Sequence, residues 1–498
     1  MERTRAGLWT AALMGLSCAG TAQAQSAPQP RTVAGIYRVN CSGCHGLHLL
    51  GLQGPALLAS TYAHGTSDGE VTRTIHDGYP PKGMPAFASI LSAQQIGSLV
   101  EYLKNERFEN TPEYLAAQDA KLVREIPRGA QQSELEPFRI EVVAELGKTF
   151  GMAFLPDGRL LVTTEADGGL RVIDHDHLLP QPVKATPRGH PINPVFFRRI
   201  LLDVAVHPDY RHNGWIYLTA SDSTKGSDGK GIELGRLVRG RLQDNTWVDS
   251  QVLVTQQVDP ATGRIAFDDS GHIFVSSSSD PGVSEARDGR PWSLEELRRM
   301  PPQDLKSAQS KIMRYNDDGT IPADNPFVAT PGAMPAIWSY GHRNPQGLAF
   351  DHSTGQLWES EHGPRGGDEL NVIHGGHNYG FPAISYGTSY NGISFTTETE
   401  QEGMDQPVIN WTPSIAVSAI AFYQGSAFPR WQHDLFIGSL EHEELLRVRL
   451  SGARAMVRES ILKDLGRIRA VAVSPQGSLY LAMELKTEGL IVRLVPAR

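Results

Sequence analysis

The sequence predicts a chain of two domains, a small all-α domain followed by an all-β six-bladed propeller. Between about residues 31 and 106, a C-x-x-C-H pattern is followed by an apolar stripe at helical spacing. From about residue 139 onward, a strand–turn–strand phrase recurs six times, which is typical of propeller blades. The length of 498 residues also favours at least two domains, because one hydrophobic core rarely serves so long a chain.

The first residues have the pattern of a secretory signal peptide, predicted over 1–24. Arg3 and Arg5 supply the positive start, residues 11–19 form a short apolar run, and residues 22–24 read as an A-x-A cleavage site. The apolar run is too short to span a bilayer, and no later segment is long or apolar enough to do so. The pattern indicates export, most naturally to a bacterial periplasm.

The chain contains three cysteines, and their positions fit export. Cys18 lies within the predicted signal peptide and is expected to leave with it; lipidation at Cys18 is the minority alternative, because the residues before it are a poor lipoprotein box. Cys41 and Cys44 then remain, which leaves none for a structural disulfide.

Composition excludes several classes of partner. The net charge is −9 and no basic cluster is present, so neither nucleic acid nor an anionic membrane surface is expected to bind. The 50 glycines and 33 prolines favour a turn-rich body over a helical bundle.

The pentapeptide at residues 41–45, CSGCH, has the signature of c-type haem attachment. Cys41 and Cys44 are predicted to bind the haem covalently, and His45 to be an axial ligand of its iron. A redox dithiol or half a zinc site is less favoured, because the histidine follows the second cysteine directly. Residues 31–106 are therefore predicted to form an all-α cytochrome c domain that carries electrons.

Met84 is the predicted second axial ligand. It is the only methionine of the mature chain before residue 150, and a glycine and a proline flank it. A thioether opposite a histidine raises the haem potential, as in electron-transfer cytochromes. The alternatives are His48, His64 and His76, of which His48 is too close to His45 to reach the other face easily.

A helix is predicted after Ser92, which is a candidate N-cap. Its apolar stripe is expected to be core: Ile96, Leu99, Val100 and Leu103. The charged, proline-containing stretch at 107–138 is predicted to be an interdomain linker.

Residues 139–498 are predicted to form the propeller. Turn residues between alternating apolar runs indicate hairpins, and a six-fold repeat indicates six blades. The copies occupy 151–165, 201–221, 263–278, 345–361, 418–439 and 469–484. The longest interval holds a charged insertion at 285–309, which is expected to be helical and to lie over one face.

The densest polar cluster is the segment at 341–347, just before the fourth copy. Arg343 offers a planar fork of donors, whereas Asn344 and Gln346 carry amides. Function in propellers gathers on the loops near the axis, so this cluster is a candidate site, with a surface turn as the alternative.

Two further segments are candidates for ligand binding. The glycine-rich bend at 361–369 can turn backbone carbonyls towards a cation, with Asp368 and Glu369 available for calcium. Arg467 and Arg469 stand two apart, so on a strand they are expected to share one face and to suit a ligand with several carboxylates. Surface turns or salt bridges are the alternatives.

Residues 139–498 resemble the soluble quinoprotein sugar dehydrogenases of the glucose/sorbosone dehydrogenase family. The similar motifs are GHRNPQGLAF, EHGPRGGDELN with GGHNYGFP, and KIMRYNDDGTIPADNPF. The resemblance implies a six-bladed propeller that uses pyrroloquinoline quinone (PQQ) and calcium. It implies that Arg343, Asn344 and Gln346 contact the quinone and that Arg467 and Arg469 contact the quinone carboxylates. It also implies that Trp411 contacts the substrate. Calcium is implied on the carbonyls of Gly363 and Pro364, and a second calcium on Glu369.

The sequence departs from the family pattern at three positions. Pro260 stands where the family has its general-base histidine, and proline has no proton-accepting side chain. Asp259 or His190 are the candidates to replace that base. Arg198 stands where the family has a quinone-contacting glutamine, and Glu441 where it has a lysine.

Together these features predict a periplasmic PQQ-dependent dehydrogenase that oxidises a sugar or other alcohol. Its electrons are expected to pass through its own haem c to an external acceptor, such as a soluble cytochrome or a respiratory-chain component. The rival hypothesis is a catalytically inactive propeller that serves as a binding module beside an electron-transfer haem. A third possibility keeps PQQ but uses a substrate acidic enough to need little help from a base.

Overall fold

This computed structural model describes residues 33–45, 49, 55, 57, 62, 64–65, 67–80, 83–109, 126–165, 169–187, 201–225, 231–258, 263–279, 283, 292–389, 394–485 and 489–497. The predicted signal peptide and several candidate residues lie outside this description: Cys18, His48, His190, Arg198, Asp259 and Pro260. Within the described part of the chain, no helix is long and apolar enough to cross a membrane.

The first domain is helical, as predicted. Its helices are α1 (Val33–Asn40), α2 (Ser42–His45), α3 (Asp68–Asp77) and α4 (Ala93–Glu109). Ser67 and Glu70 form a capping box at the start of α3. At the start of α4, the Gln95 amide N–H donates to Ser92 Oγ and the Ser92 amide N–H donates to Gln95 Oε1, so the predicted N-cap is confirmed.

The core of this domain lies between α1, α3 and α4. The four stripe residues predicted on α4 are all buried: Ile96, Leu99, Val100 and Leu103. They pack with Ile36 and Tyr37 of α1 and Val71 and Ile75 of α3. The helical spacing of the apolar residues therefore identified the core correctly.

The second domain is a six-bladed propeller of antiparallel sheets, as predicted. The first strand of every blade contacts the first strands of its two neighbours, so these six strands surround the axis. The first blade contains β3 (Thr149–Phe154), β4 (Leu160–Thr164), β5 (Leu170–Asp174) and β6 (His177–Leu178), and the second contains β7 (Leu201–Val206), β8 (Ile216–Lys225), β9 (Gly231–Gln243) and β10 (Thr246–Gln257). The third contains β11 (Ile265–Phe267), β12 (Ile273–Ser276), β13 (Lys311–Tyr315) and β14 (Ile337–Tyr340), and the fourth contains β15 (Pro345–Asp351), β16 (Gln356–Glu361), β17 (Asp368–Ile373) and β18 (Ile409–Trp411). The fifth contains β19 (Val417–Phe422), β20 (Leu435–Ser439), β21 (Leu445–Ser451) and β22 (Arg454–Leu462), and the sixth contains β23 (Arg467–Val473), β24 (Leu479–Glu484) and β25 (Gly489–Pro496) together with β2 (Pro137–Leu146) and β1 (Gln131–Gln132).

Each sequence copy corresponds to the two inner strands of one blade. An apolar cluster fills each of the six interfaces between neighbouring blades, as between β4 and β8 or between β16 and β20. Burial of apolar surface between the sheets is therefore the main contribution that holds the ring together.

The sixth blade is completed by strands from the start of the propeller. β2 pairs with β25 from Phe138 to Leu146, and β1 pairs with β2. The predicted linker at 107–138 thus differs from the structure at its end, because strand β1 already begins at Gln131. The alternating burial of β2 explains why it belongs to a sheet.

The inner strands share a backbone irregularity close to the axis. A register shift interrupts the first strand pair of five blades: between Thr149 and Met152, Leu201 and Val204, Pro345 and Gly347, Val417 and Ile420, and Ile468 and Ala470. Such bulges re-aim side chains. The residues inside them include Phe150, Asp203, Gln346, Ser418 and Arg469.

The insertion predicted at 285–309 includes a short helix, α6 (Leu294–Arg298), capped by Ser293 and Glu296. A second short helix, α5 (Tyr210–Asn213), lies in the hairpin of the second blade. Leu297 and Met300 of the insertion pack on Phe381 and Phe395. The Gly341 amide N–H donates to the Pro302 carbonyl, so the insertion covers the turn that leads to the candidate site.

Candidate functional site

The haem-attachment segment lies on α2, directly after α1. Cys41 is half-buried and Cys44 is exposed, whereas His45 is buried. His45 Nδ1 lies 2.9 Å from the carbonyl oxygen of Pro55. If Nδ1 carries the proton, this bond fixes the ring and leaves Nε2 as the metal-binding nitrogen. The segment therefore fits a covalently attached haem with His45 as one axial ligand.

The structure favours Met84 over the alternative ligands that it describes. Met84 is half-buried and packs against the same apolar core as Cys41. His64 is exposed with its ring on Tyr79, and His76 is exposed beside Asp77, 2.6 Å away. Met84 as the second axial ligand stays a prediction, now supported by its packing.

We expect Met84→Ala to lower the reduction potential of the haem, because loss of the thioether removes the ligand that favours the reduced iron. A redox titration of the purified chain, followed by absorbance, measures this potential. His64→Gln and His76→Gln are the matched controls and should leave the potential unchanged. If His64→Gln lowers it and Met84→Ala does not, Met84 is not the ligand.

In the propeller, Arg264 lies at the axis just before β11 and is 4 % exposed. Its guanidinium donates to three backbone carbonyls, those of Gln346 (2.6 Å), Phe150 (2.8 Å) and Arg469 (3.1 Å). It also approaches Asp203 Oδ1 at 3.5 Å. Burial lowers the pKa of Arg264 to about 10, with the charge of Asp203 acting in the opposite direction. One side chain thus joins the inner strands of five blades.

The predicted polar residues of the fourth and sixth blades form one hydrogen-bonded chain. Gln346 Nε2 donates to Asn344 Oδ1 (2.9 Å), and Arg469 Nη1 donates to Gln346 Oε1 (3.2 Å). Arg343 lies beside them, with Nη1 donating to the carbonyls of His362 (3.1 Å) and Gly363 (2.9 Å). The structure therefore brings together Arg343, Asn344, Gln346 and Arg469.

Arg467 and Arg469 differ in their surroundings, although the sequence predicts that they share a face. Arg469 falls within the register shift between Ile468 and Ala470, is buried, and pairs with Glu484 through two contacts of 3.1 and 3.3 Å. Arg467 is half-buried and donates to the Leu440 carbonyl at 3.3 Å. The bulge breaks the two-residue alternation on which the prediction depended.

The glycine-rich bend holds its two acidic residues in different ways. Asp368 accepts from the amide N–H groups of Gly363, Ile415 and Val417 and from Ser414 Oγ, at 2.7–3.2 Å. Its carboxylate is thus engaged in fixing the bend, contrary to the expectation that it is available for calcium. Glu369 accepts a bond from Asn371 Nδ2 at 3.3 Å, and burial raises its pKa, with the charge of Glu361 adding to the effect.

The bend offers carbonyl oxygens, as hard cations require. Gly363 and Pro364 are buried, and the Gly363 carbonyl already accepts from Arg343 Nη1. A Cβ at Gly363 would lie 2.1 Å from the Gly366 carbonyl oxygen, so the bend needs glycine there. The carbonyl of Gly363 has a second lone pair, so the bend fits a calcium ion only if Arg343 and the ion share this oxygen.

Two other candidates are placed at the edge of this region. Trp411 is half-buried on β18 opposite Asp368, and its carbonyl accepts from the Gly367 amide N–H at 2.8 Å. Glu441, which stands where the family has a lysine, is exposed. The candidate base residues Asp259 and His190, together with Pro260 and Arg198, lie outside the described residues.

His362, for which the sequence predicts no role, lies within the electrostatic influence of Arg343 and Arg469. Burial, together with the positive charges of Arg469 and Arg343, lowers the pKa of His362 to about 3. Its buried Nε2 has no hydrogen-bond partner among the described residues. The signal in the sequence was the neighbouring E-H-G-P run, but only the fold shows that burial, with two guanidinium groups nearby, keeps this ring neutral.

Comparison with known proteins agrees with this architecture. A family model described as Glucose / Sorbosone dehydrogenase matches residues 146–493, and one described as Cytochrome C oxidase, cbb3-type, subunit III matches residues 28–103. The chain is 35 % identical over 370 residues to Aldose sugar dehydrogenase YliI of Escherichia coli, covering 72 % of this chain and 92 % of that protein. It is 24 % identical over 403 residues to Quinoprotein glucose dehydrogenase B of Acinetobacter calcoaceticus, covering 68 % and 83 %.

Among solved structures, the apo-form of the soluble aldose sugar dehydrogenase of Escherichia coli is similar. The TM-score is 0.62 at 32 % identity, and the match covers 72 % of this chain and all of that one. The six blades, the axial arginines and these matches lead to one assignment. The chain belongs to the glucose/sorbosone dehydrogenase family and carries a cytochrome c domain before the family's propeller.

Proposed function

We propose that the protein is an exported PQQ-dependent dehydrogenase that oxidises an aldose or another alcohol and passes the electrons through its own haem c to an external acceptor. The observation that carries this proposal is the hydrogen-bonded chain Asn344–Gln346–Arg469 beside Arg343, held at the axis by Arg264. The names of the relatives, an aldose sugar dehydrogenase and a quinoprotein, support the substrate class and the cofactor. The pattern at residues 1–24 supports a periplasmic location.

The arginines suit an anionic ligand that carries carboxylates and carbonyl oxygens. Bound PQQ supplies the two-electron acceptor for alcohol oxidation. Arg469, Arg467 and Arg343 are proposed to donate to its oxygens, and a preorganised donor such as Arg343 stabilises negative charge where that charge develops. Asn344 and Gln346 fix the orientation of the ligand, because their amides are already linked to each other.

Calcium is proposed at two places. The carbonyls of Gly363 and Pro364 would hold one ion beside the quinone, where it polarises a carbonyl. Glu369 would hold a second ion. Trp411 is proposed beside the substrate, because its strand borders the bend that carries these carbonyls.

The proton acceptor of this proposed dehydrogenase differs from the family's histidine. Pro260 offers no base, so Asp259 or His190 is proposed to accept the substrate proton. His362 does not suit the role at neutral pH, since its pKa of about 3 makes it a poor acceptor. A substrate with a more acidic proton would need less assistance.

The rival function is a binding module that has lost catalysis and keeps an electron-transfer haem. The replacement of the family's histidine by Pro260 is the observation that favours it. The hydrogen-bonded chain of Asn344, Gln346 and Arg469 opposes it, because it brings the predicted quinone contacts together.

A titration of the purified full chain with PQQ in the presence of calcium decides between the two functions. The dehydrogenase is expected to bind the quinone and to show reduced haem by absorbance when an aldose is added. Arg343→Met should weaken quinone binding by more than about tenfold, as loss of a charge-assisted contact implies. The exposed Arg454→Met on β22 is the matched control.

Failure to bind at saturating PQQ would overturn the proposal and leave the binding module. Quinone binding without haem reduction by any aldose or alcohol tested would leave the cofactor site but remove the dehydrogenase activity.

A further inference from the structure

A second polar cluster lies inside the fourth blade, next to the turn that carries Arg343 and Asn344. It contains His342, Glu359, Glu361 and Asn371, whose exposed fractions are 0, 0, 3 and 1 %. Glu359 and Glu361 alternate on β16, so they face the same side, and Asn371 on β17 is the strand partner of Glu359. The strands therefore bring two carboxylates and an amide to one spot in the core, beside a buried imidazole.

Three atoms of this cluster converge. A ligand atom from each of His342, Glu359 and Glu361 lies within 4.8 Å of the others. His342 Nε2 lies 2.8 Å from Ser339 Oγ, and its ring stacks on Tyr379 at a centroid distance of 4.7 Å. These two contacts fix the ring so that Nδ1 is directed at Glu361, 3.6 Å away.

Several of the buried atoms lack a partner in the described part of the chain. His342 Nδ1, Glu359 Oε1 and Asn371 Oδ1 accept or donate no hydrogen bond there. Buried polar groups are usually satisfied, and leaving one without a partner destabilises the fold. Among the described residues, no arginine or lysine is paired with Glu359 or Glu361. The cluster therefore requires a positive centre that its side chains do not supply.

A metal ion meets this requirement better than a proton does. A proton shared between two carboxyl groups would leave His342 Nδ1 and Asn371 Oδ1 unsatisfied, whereas a cation accepts electron pairs from all of them. Imidazole with carboxylates suits zinc or manganese, whereas calcium prefers oxygen ligands alone. Ligands at about 2.0–2.2 Å from a zinc ion lie up to about 4 Å apart, so the cluster needs only a small contraction.

We propose that His342, Glu359 and Glu361 form a buried site for a divalent transition-metal cation of the zinc–manganese class, with Asn371 Oδ1 as a further donor. The remaining oxygen of Glu361 accepts from the amide N–H groups of Arg343 (2.5 Å) and Asn344 (3.2 Å). The ion thereby fixes the turn that carries these two residues. Glu369, proposed above for a second calcium, adjoins this cluster, because Asn371 Nδ2 donates to both Glu359 and Glu369. The transition-metal site does not depend on the protein binding PQQ.

Metal analysis of the purified full chain, prepared without chelators and without PQQ, tests this proposal. We expect about one equivalent of zinc or manganese per chain, counted separately from haem iron, as for a structural site. Glu359→Gln and His342→Gln should each lower this content at least about tenfold. Asn371→Asp, which keeps an oxygen donor, should retain the metal, and His207→Gln, outside the cluster, is the control for loss of an unrelated histidine.

Purified wild-type chain with neither zinc nor manganese would overturn the proposal, and so would a metal content that His342→Gln and Glu359→Gln leave unchanged. Calcium alone at this stoichiometry, sensitive to Glu359→Gln but not to His342→Gln, would also overturn the assignment to a transition metal. A variant that fails to fold is replaced by Glu361→Asp, which keeps the carboxylate but shortens it, and which should weaken metal retention without removing the charge. Because no quinone is present, these results are independent of the titration that tests the proposed function.

Discussion

Arg264→Met is expected to lower the free energy of unfolding of the propeller by about 3–5 kcal/mol, as for a buried pair that loses one partner. The substitution leaves Asp203 buried without its counter-charge and removes the donor from the carbonyls of Phe150, Gln346 and Arg469. Since two of these carbonyls belong to quinone-site candidates, quinone binding should weaken as well. Chemical denaturation and a PQQ titration measure the two effects.

The double substitution Arg264→Met with Asp203→Asn separates the causes. It removes both charges, so it should recover part of the lost stability. It should not recover quinone binding, because the carbonyls of Gln346 and Arg469 still lack their donor. Arg454→Met controls for loss of an exposed arginine. If Arg264→Met unfolds within about 0.5 kcal/mol of the wild type, the axial role assigned to this residue is wrong.

Lys311→Met is expected to destabilise the protein by about 2–4 kcal/mol near pH 9, because the buried amine, which in its neutral form donates to two of the three surrounding carbonyls at a time, is lost. Lys311 is fully buried, and its Nζ donates to the carbonyls of Pro301 (2.7 Å), Pro302 (3.0 Å) and Gln309 (2.7 Å). These bonds tie the insertion to β13. Thermal or chemical unfolding measures the loss, and Lys306→Met, an exposed lysine of the same segment, is the matched control.

The effect of Lys311→Met should depend on pH. Burial lowers the pKa of Lys311 to about 7, with the charge of Asp304 acting in the opposite direction, whereas the unfolded chain keeps the ordinary value of 10.5. Between these values the unfolded state binds more protons, so wild-type stability rises with pH, by at most about 1.4 kcal/mol per unit. The gap between wild type and variant should thus be larger at pH 9 than at pH 7. An equal gap at the two pH values would contradict a lowered pKa.

Periodicity in the sequence was sufficient to predict the architecture. The alternating runs identified the inner strand pairs of all six blades, because half-buried strands repeat every two residues. The closing strand β2 was missed, although its burial also alternates, because it precedes the first copy and lies in a stretch with several prolines. Its partner β25 lies at the other end of the chain, and a pairing of that range has no local signal.

The candidate site was predictable only in part. Motifs identified Arg343, Asn344, Gln346 and Arg469, which the fold then brings together. The roles of Arg264 and His362 depend on the carbonyls and charges that surround them. These groups come from several blades that meet at the axis, not from neighbours in sequence. Glu359 carried only a faint signal, as an acidic residue that directly follows the apolar pair Leu357 and Trp358 on its strand.

The position of strand β2 has a consequence for how further domains can be joined to the propeller. The haem domain precedes β1 and β2, which form the outer edge of the sixth blade. A module joined there adds to the rim of the ring and interrupts no contact between blades. We therefore expect that a different electron carrier can be fused at this position while the propeller is kept. A proteolytic cut before Gln131 should release a closed ring, whereas after a cut directly beyond Leu146 only non-covalent contacts would hold β2 to β25.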